Sequence, residues 1–67
     1  MDMVPVESSC VAAVGYDATW RELHVTFRSG RHYVYQDVPA SVYEDFLSAD
    51  SKGTFFNAAV KDRYSWY

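Results

Sequence analysis

Within residues 20–28 apolar and polar positions alternate without a break from Glu22 onward: Leu23, Val25 and Phe27 alternate with Glu22, His24 and Thr26. A period of two sends successive side chains to opposite faces of an extended chain. The segment therefore predicts a strand with one face buried and one face wet. A second strand is predicted over residues 9–16, with Val14 and Tyr16 on one face, and Cys10 and Ala12 continuing that face if the strand is regular. Asp17, Ala18 and Thr19 supply the turn between the two. A third strand is predicted over residues 31–36.

Its register depends on the loop before it. A two-residue loop of Ser29 and Gly30 would set Tyr33 against Thr26, on the polar side. A three-residue loop of Arg28, Ser29 and Gly30 places glycine at the third position, where this turn type requires the left-handed conformation. Phe27 then meets Arg31, Val25 meets Tyr33 and Leu23 meets Tyr35, so both tyrosines join the apolar face. A slip of one residue would reverse every side chain. The three-residue loop satisfies the glycine and the pattern together.

The period then changes. Val42, Tyr43, Phe46 and Leu47 form a helical stripe, with Asp37 as expected N-cap, Pro39 in the first turn and an end near Ala49. Phe55, Phe56, Ala59 and Val60 repeat the spacing in a second helix, capped by Asp50 or Ser51 and running to about Asp62. Residues 1–7 read as an extended lead-in held non-helical by Pro5, and residues 65–67 as an aromatic tail. The expected fold is α+β: a three-stranded antiparallel meander followed by two short helices packed on one face.

At 67 residues the chain makes one domain, 1–67, with a core from about residue 3 to residue 64. A chain this short buries only about 60% of its unfolded surface. Its 18% aromatic content compensates, because each large ring can bury roughly 150–250 Å². The single cysteine, Cys10, allows no internal disulfide, which fits a reducing cytoplasm. Residues 1–6 carry no basic cluster or long apolar run, and no stretch reaches the length of a membrane span, so a soluble cytoplasmic protein with no membrane partner is expected.

The ordered set of motifs resembles the KTSC domain, a small domain found at the C-terminus of some lysyl-tRNA synthetases and alone in bacterial and phage proteins. The resemblance is carried by Ser8 and Ser9, then by Val14 through Asp17, by Leu23 through Phe27, and by Gly30. The central Tyr33-Val34-Tyr35 is its signature, followed by Val38-Pro39, Ser51-Lys52-Gly53, Phe55-Phe56-Asn57 and Tyr64. It spans about residues 3 to 64. It implies a non-catalytic module with RNA as the ligand class suggested for the family, and it brings no catalytic residues or cofactor. Family members often continue with basic residues after the position of Tyr64; this sequence has Ser65, Trp66 and Tyr67.

Several positions are candidates for chemistry. Tyr33 and Tyr35 could stack bases as aromatics on RNA-binding sheets do, or pack in the core. Ser51, Lys52 and Gly53 open a helix, where backbone N–H groups attract anions. With Asn57, Lys61, Arg63 and Tyr64 they form an edge suited to phosphate and a stacked base. The glycine spacing of a P-loop is absent. Trp20, Trp66 and Tyr67 are left over from the core pattern and suit a protein interface, with a partner or with a second copy.

His24, His32 and Glu22 share the open face of the sheet, but zinc sites take three or four ligands, so no metal site is expected. Cys10 is expected to face the core, with no histidine placed beside it as a base. No catalytic set stands out, and the chain reads as a non-enzyme. The net charge of −3 disfavours phosphate binding in general. Asp50 and Asp62 are expected to interleave with Lys52, Lys61 and Arg63. Two functions remain: single-stranded or structured RNA binding, and a protein-interaction or self-association module.

Overall fold

The computed structural model describes all 67 residues. Strands β1 (Val4–Pro5), β2 (Val11–Asp17), β3 (Glu22–Phe27) and β4 (His32–Tyr35) are followed by helices α1 (Ala40–Ser48) and α2 (Lys52–Phe55), and α2 runs directly into a π-helical turn, Phe56–Val60. The sheet order is β1-β2-β3-β4, antiparallel throughout. No helix is long and apolar enough to cross a membrane.

The sheet thus has four strands, where the hydrophobic pattern predicts three. The added strand is part of the lead-in: Val4 pairs with Val14 and Pro5 with Ala13. Proline cannot donate to a ladder and is tolerated at a sheet edge, which is where Pro5 lies. Arg28 holds this segment in place from across the sheet, with Nε donating to the Ser8 carbonyl at 2.8 Å and Nη2 to the Val6 carbonyl at 3.2 Å.

The β3–β4 register is the one that the three-residue loop requires. Leu23 pairs with Tyr35 and Val25 with Tyr33, Gly30 sits at φ 94°, and its N–H donates to the Phe27 carbonyl. In β2 the expectation of a regular strand fails. Val11 pairs with Phe27 but Ala13 with Thr26, so β2 carries one extra residue there. This bulge turns Val11 into the core and leaves Cys10 exposed, where Cys10 and Ala12 were expected on the apolar face.

The core comprises Val11, Val14, Leu23, Val25 and Tyr35 from the sheet, Val38 from the connection, and Phe46, Phe56 and Val60 from the helical layer. Both helical segments lie on that one face. On the opposite face the N-terminal residues cross Gly15, where a Cβ would lie 2.6 Å from Met3 Sδ and 3.0 Å from the Asp2 carbonyl.

The N-cap of α1 lies two residues later than expected. Asp37 adopts φ 56°, and Pro39 occupies the N-cap position without a side-chain cap. The start of α1 is fixed instead by the buried Val38. Its N–H donates to the Arg21 carbonyl at 2.9 Å and its carbonyl accepts the Tyr16 hydroxyl at 2.5 Å. Trp20, expected in the strand, lies in the β2–β3 turn, which Asp17 Oδ1 closes by accepting the Thr19 and Trp20 N–H groups. Ser51 caps α2 as expected, accepting the Thr54 N–H.

The tail is a fifth pairing segment on the outer edge of β4. Gln36 N–H donates to the Ser65 carbonyl at 2.8 Å, and Val34 and Tyr67 exchange both backbone bonds at 2.9 Å. The outer edge of β4 is therefore occupied by the chain itself, and the other edge of the sheet ends in a proline-containing strand.

Candidate functional site

Because Gly30 fixes the register, Phe27, Tyr33 and Tyr35 lie on the same face of the sheet as the helices. Tyr35 is 4% exposed, while Phe27 and Tyr33 are half-buried at the core margin. The π turn crosses beside them and contributes Phe56 and Asn57, and Lys61 and Asp62 follow at its end. A π turn is rare and is found frequently at functional sites; here its closing bond runs from the Lys61 N–H to the Phe56 carbonyl. Trp66, fixed by the tail's pairing to β4, forms the outer wall. Together they enclose an aromatic cleft of about 400 Å³.

The rings in the cleft meet edge to face. Tyr33 and Trp66 have centroids 5.0 Å apart at 81°, Phe27 and Phe56 5.1 Å apart at 79°, and Tyr35 and Phe56 5.6 Å apart at 70°. Trp66 keeps 59% of its surface in water. Burial pushes the Tyr35 hydroxyl above its ordinary pKa, with the charges of Tyr33 and Asp62 adding to the shift, so it stays a neutral donor at physiological pH.

The structure thus joins residues that the sequence placed in separate readings. Tyr33 and Tyr35 from the signature, Gly53, Asn57 and Lys61 from the anion edge, and Trp66 from the interaction set all line this cleft. Lys52 does not. It borders an adjoining polar hollow with Asp50, Ser51, Thr54 and Glu7, and its ammonium donates to the Ala49 carbonyl at the end of α1. Arg63 is exposed outside both hollows, and Tyr64 packs against the core. Trp20 and Tyr67 are exposed outside the cleft, Trp20 in the β2–β3 turn and Tyr67 on β4's outer edge. At Gly53 a Cβ would meet Cys10 Sγ at an ordinary 3.8 Å, so close approach does not demand glycine there.

The charges interleave. Lys61 shares the cleft with Asp62, and Lys52 shares its hollow with Asp50 and Glu7, so no unbroken basic groove exists. One cation escaped the sequence reading. Arg31 lies in a neighbouring hollow that shares Cys10, Phe27 and Tyr33 with the cleft, with Nη1 donating to the Tyr33 hydroxyl at 3.4 Å, and that bond raises the guanidinium's already high pKa. Cys10, Phe27 and Phe56 were likewise not singled out for this site. Only the bulge and the packing of the π turn on the sheet bring them to it.

On the far face of the sheet the two histidines meet. His24 Nδ1 lies 3.2 Å from His32 Nε2, and His32 Nδ1 lies 2.8 Å from Thr26 Oγ1. Burial, and secondarily the neighbouring His32, hold His24 below its ordinary pKa.

Comparison with known proteins adds the following. The family model of the KTSC domain matches residues 7–64. A protein of Tsukamurella paurometabola is 45% identical over 62 residues, which cover 92% of each chain. A lysine–tRNA ligase of Nostoc punctiforme is 37% identical over 60 residues, 90% of this chain but 11% of the ligase. The crystal structure of a KTSC domain protein from Yersinia pestis superposes with a TM-score of 0.96 at 36% identity, over 98% of this chain and 93% of that one.

Proposed function

The chain belongs to the KTSC domain family, and on that premise we propose that it is a non-catalytic module that binds single-stranded RNA by taking one unpaired base into the aromatic cleft. The observation that carries this reading is the convergence of Tyr33, Trp66, Asn57 and Lys61 on a single cleft of about 400 Å³. Tyr33 and Trp66 offer ring surface to a base, the Asn57 amide can donate to and accept from a base edge, and Lys61 in the cleft and Arg31 in the hollow beside Tyr33 can meet the adjoining phosphates. The similarity to a segment of lysine–tRNA ligases supports a setting in which RNA is at hand.

The charge pattern determines how such binding works. With Asp62 beside Lys61, phosphate neutralisation contributes little, and base stacking, worth about 1–3 kcal/mol per base, carries the affinity. Neutralising two phosphates on a single strand gives a slope of about −1.4 in log K against log salt, shallow for an RNA-binding protein.

An NMR titration of the labelled chain with a mixed pool of short RNA tests this, at low and then physiological salt. Shifts are expected at Tyr33, Asn57, Lys61 and the Trp66 indole, and Trp66→Ala should weaken binding about tenfold or more. Absence of shifts at low salt would sink the RNA reading. Shifts confined to Lys52 and Ser51 with a steep salt slope would remove the base from the cleft.

A second reading is favoured by the neutral rim and by the exposure of Trp66: the cleft as an anchor pocket for an aromatic or aliphatic side chain of a protein partner. Cleft shifts with a peptide pool and none with RNA would select it.

A further inference from the structure

The sheet face opposite the cleft carries a cross-strand histidine pair that RNA binding does not use. Thr26 pairs with His32 and His24 with Val34, which makes the two histidines diagonal neighbours on that face. Their facing nitrogens, Nδ1 of His24 and Nε2 of His32, are 3.2 Å apart. Each ring has an oxygen behind it. Thr26 Oγ1 lies 2.8 Å from Nδ1 of His32, and Glu22 Oε1 lies 3.9 Å from Nε2 of His24. Glu22 is itself held, because the Tyr67 hydroxyl donates to its Oε2 at 2.6 Å.

These neighbours determine what the facing nitrogens can do. The Glu22 carboxylate lies 3.9 Å from Nε2 of His24, beyond hydrogen-bond distance, and its negative charge favours the proton on that nitrogen, which leaves a lone pair on Nδ1. A threonine hydroxyl both donates and accepts. When Thr26 donates to His32, the proton of His32 sits on Nε2 and bridges to His24. When Thr26 accepts, that proton sits on Nδ1, and two lone pairs face one another across 3.2 Å. The second state becomes a two-nitrogen donor set once the rings turn so that both lone pairs converge on one ion, with the Thr26 hydroxyl at hydrogen-bond distance behind His32 and the Glu22 carboxylate 3.9 Å behind His24. Zinc–nitrogen bonds of about 2.0–2.1 Å place two ligands about 2.8–3.4 Å apart for angles from square to tetrahedral. The observed separation lies within that span.

We propose that His24 and His32 chelate a divalent transition ion of the copper, nickel and zinc class, with Glu22 and Thr26 as positioning residues. No cluster of three protein ligands surrounds the pair, so water completes the shell and the ion stays open to solvent. Loading needs the shift of the His32 proton from Nε2 to Nδ1 and a turn of the rings that brings the two lone pairs onto one point.

The test is calorimetric titration of the full chain with Cu²⁺, Ni²⁺, Zn²⁺ and Mg²⁺, with histidine-ring NMR for Zn²⁺. Cys10→Ser is the background, because the exposed Cys10 thiol is itself a metal ligand. Copper is expected to bind most tightly, and magnesium not at all. His24→Gln and His32→Gln should each weaken binding at least tenfold, and Glu22→Gln about tenfold through ligand orientation. Amide spectra confirm that each variant is folded. Zinc affinity unchanged from the Cys10→Ser background in both histidine variants would overturn the proposal. So would absence of any response to the three transition ions at millimolar concentration, which would show that the pair shares a proton and nothing more.

Discussion

Gly30 gives the sharpest test of how this fold is set. It closes the β3–β4 loop at φ 94°, and a Cβ added there would meet nothing within 4 Å. Replacement therefore changes backbone energy without crowding. An L-residue forced into the left-handed region costs about 1–2 kcal/mol. In a domain of this size 1 kcal/mol moves the melting midpoint by about 4–8 °C, so Gly30→Ala should lower it by about 4–16 °C. Total stability for such a chain is roughly 3–10 kcal/mol, so the variant remains measurable. D-alanine at the same position, introduced by chemical synthesis, prefers positive φ and restricts the unfolded chain; it should stabilise by about 0.4–1 kcal/mol. Urea titrations of the three proteins, with unchanged m-values, separate these effects. If the two enantiomers shift stability in the same direction, backbone handedness is not what position 30 contributes, and the register argument fails with it. Gly15→Ala serves as contrast: Gly15 lacks a positive φ, and its Cβ would press on Met3 Sδ and the Asp2 carbonyl, so that loss comes from crowding.

Three other outcomes are expected. Removing residues 65–67 deletes three backbone bonds to β4, each worth about 0.5–1.5 kcal/mol net, and should speed hydrogen exchange at the Val34 and Gln36 amides; unchanged protection would mean that the tail is not paired in solution. Lys52→Met should leave RNA affinity within about twofold, because its ammonium is committed to the Ala49 carbonyl, whereas a tenfold loss would relocate the ligand to the polar hollow. His24 has a folded pKa below its ordinary value of 6.5, so its contribution to stability is complete above about pH 6.5 and is lost as pH falls through the lowered value. Urea midpoints between pH 7.5 and 5 should therefore fall on acidification, and His24→Gln should flatten that slope; an identical slope in the variant would refute the assignment.

What could be read from the amino acids was whatever a short stretch of chain decides. The alternation of Leu23, Val25 and Phe27, the glycine at the third loop position, and the stripes through Phe46 and Phe56 each have a local cause. They sufficed for the α+β class, the β3–β4 register and the face carrying Tyr33 and Tyr35. Three-dimensional pairing decided the rest. β1 has two residues and no periodicity, and it is a strand because β2 has a free edge and Arg28 holds the lead-in. The bulge that buries Val11 and exposes Cys10 appears only in the count of β2 against β3. The tail becomes a wall of the cleft by pairing with β4, some thirty residues earlier in the chain, once the rest of the fold has brought the ends together and met the cost of closing that loop. For the same reason Tyr33 on its strand, Asn57 and Lys61 on the anion edge, and Trp66 in the tail read as three separate features. A site made where remote segments cross leaves no periodic trace, since no local stretch contains more than one of its walls.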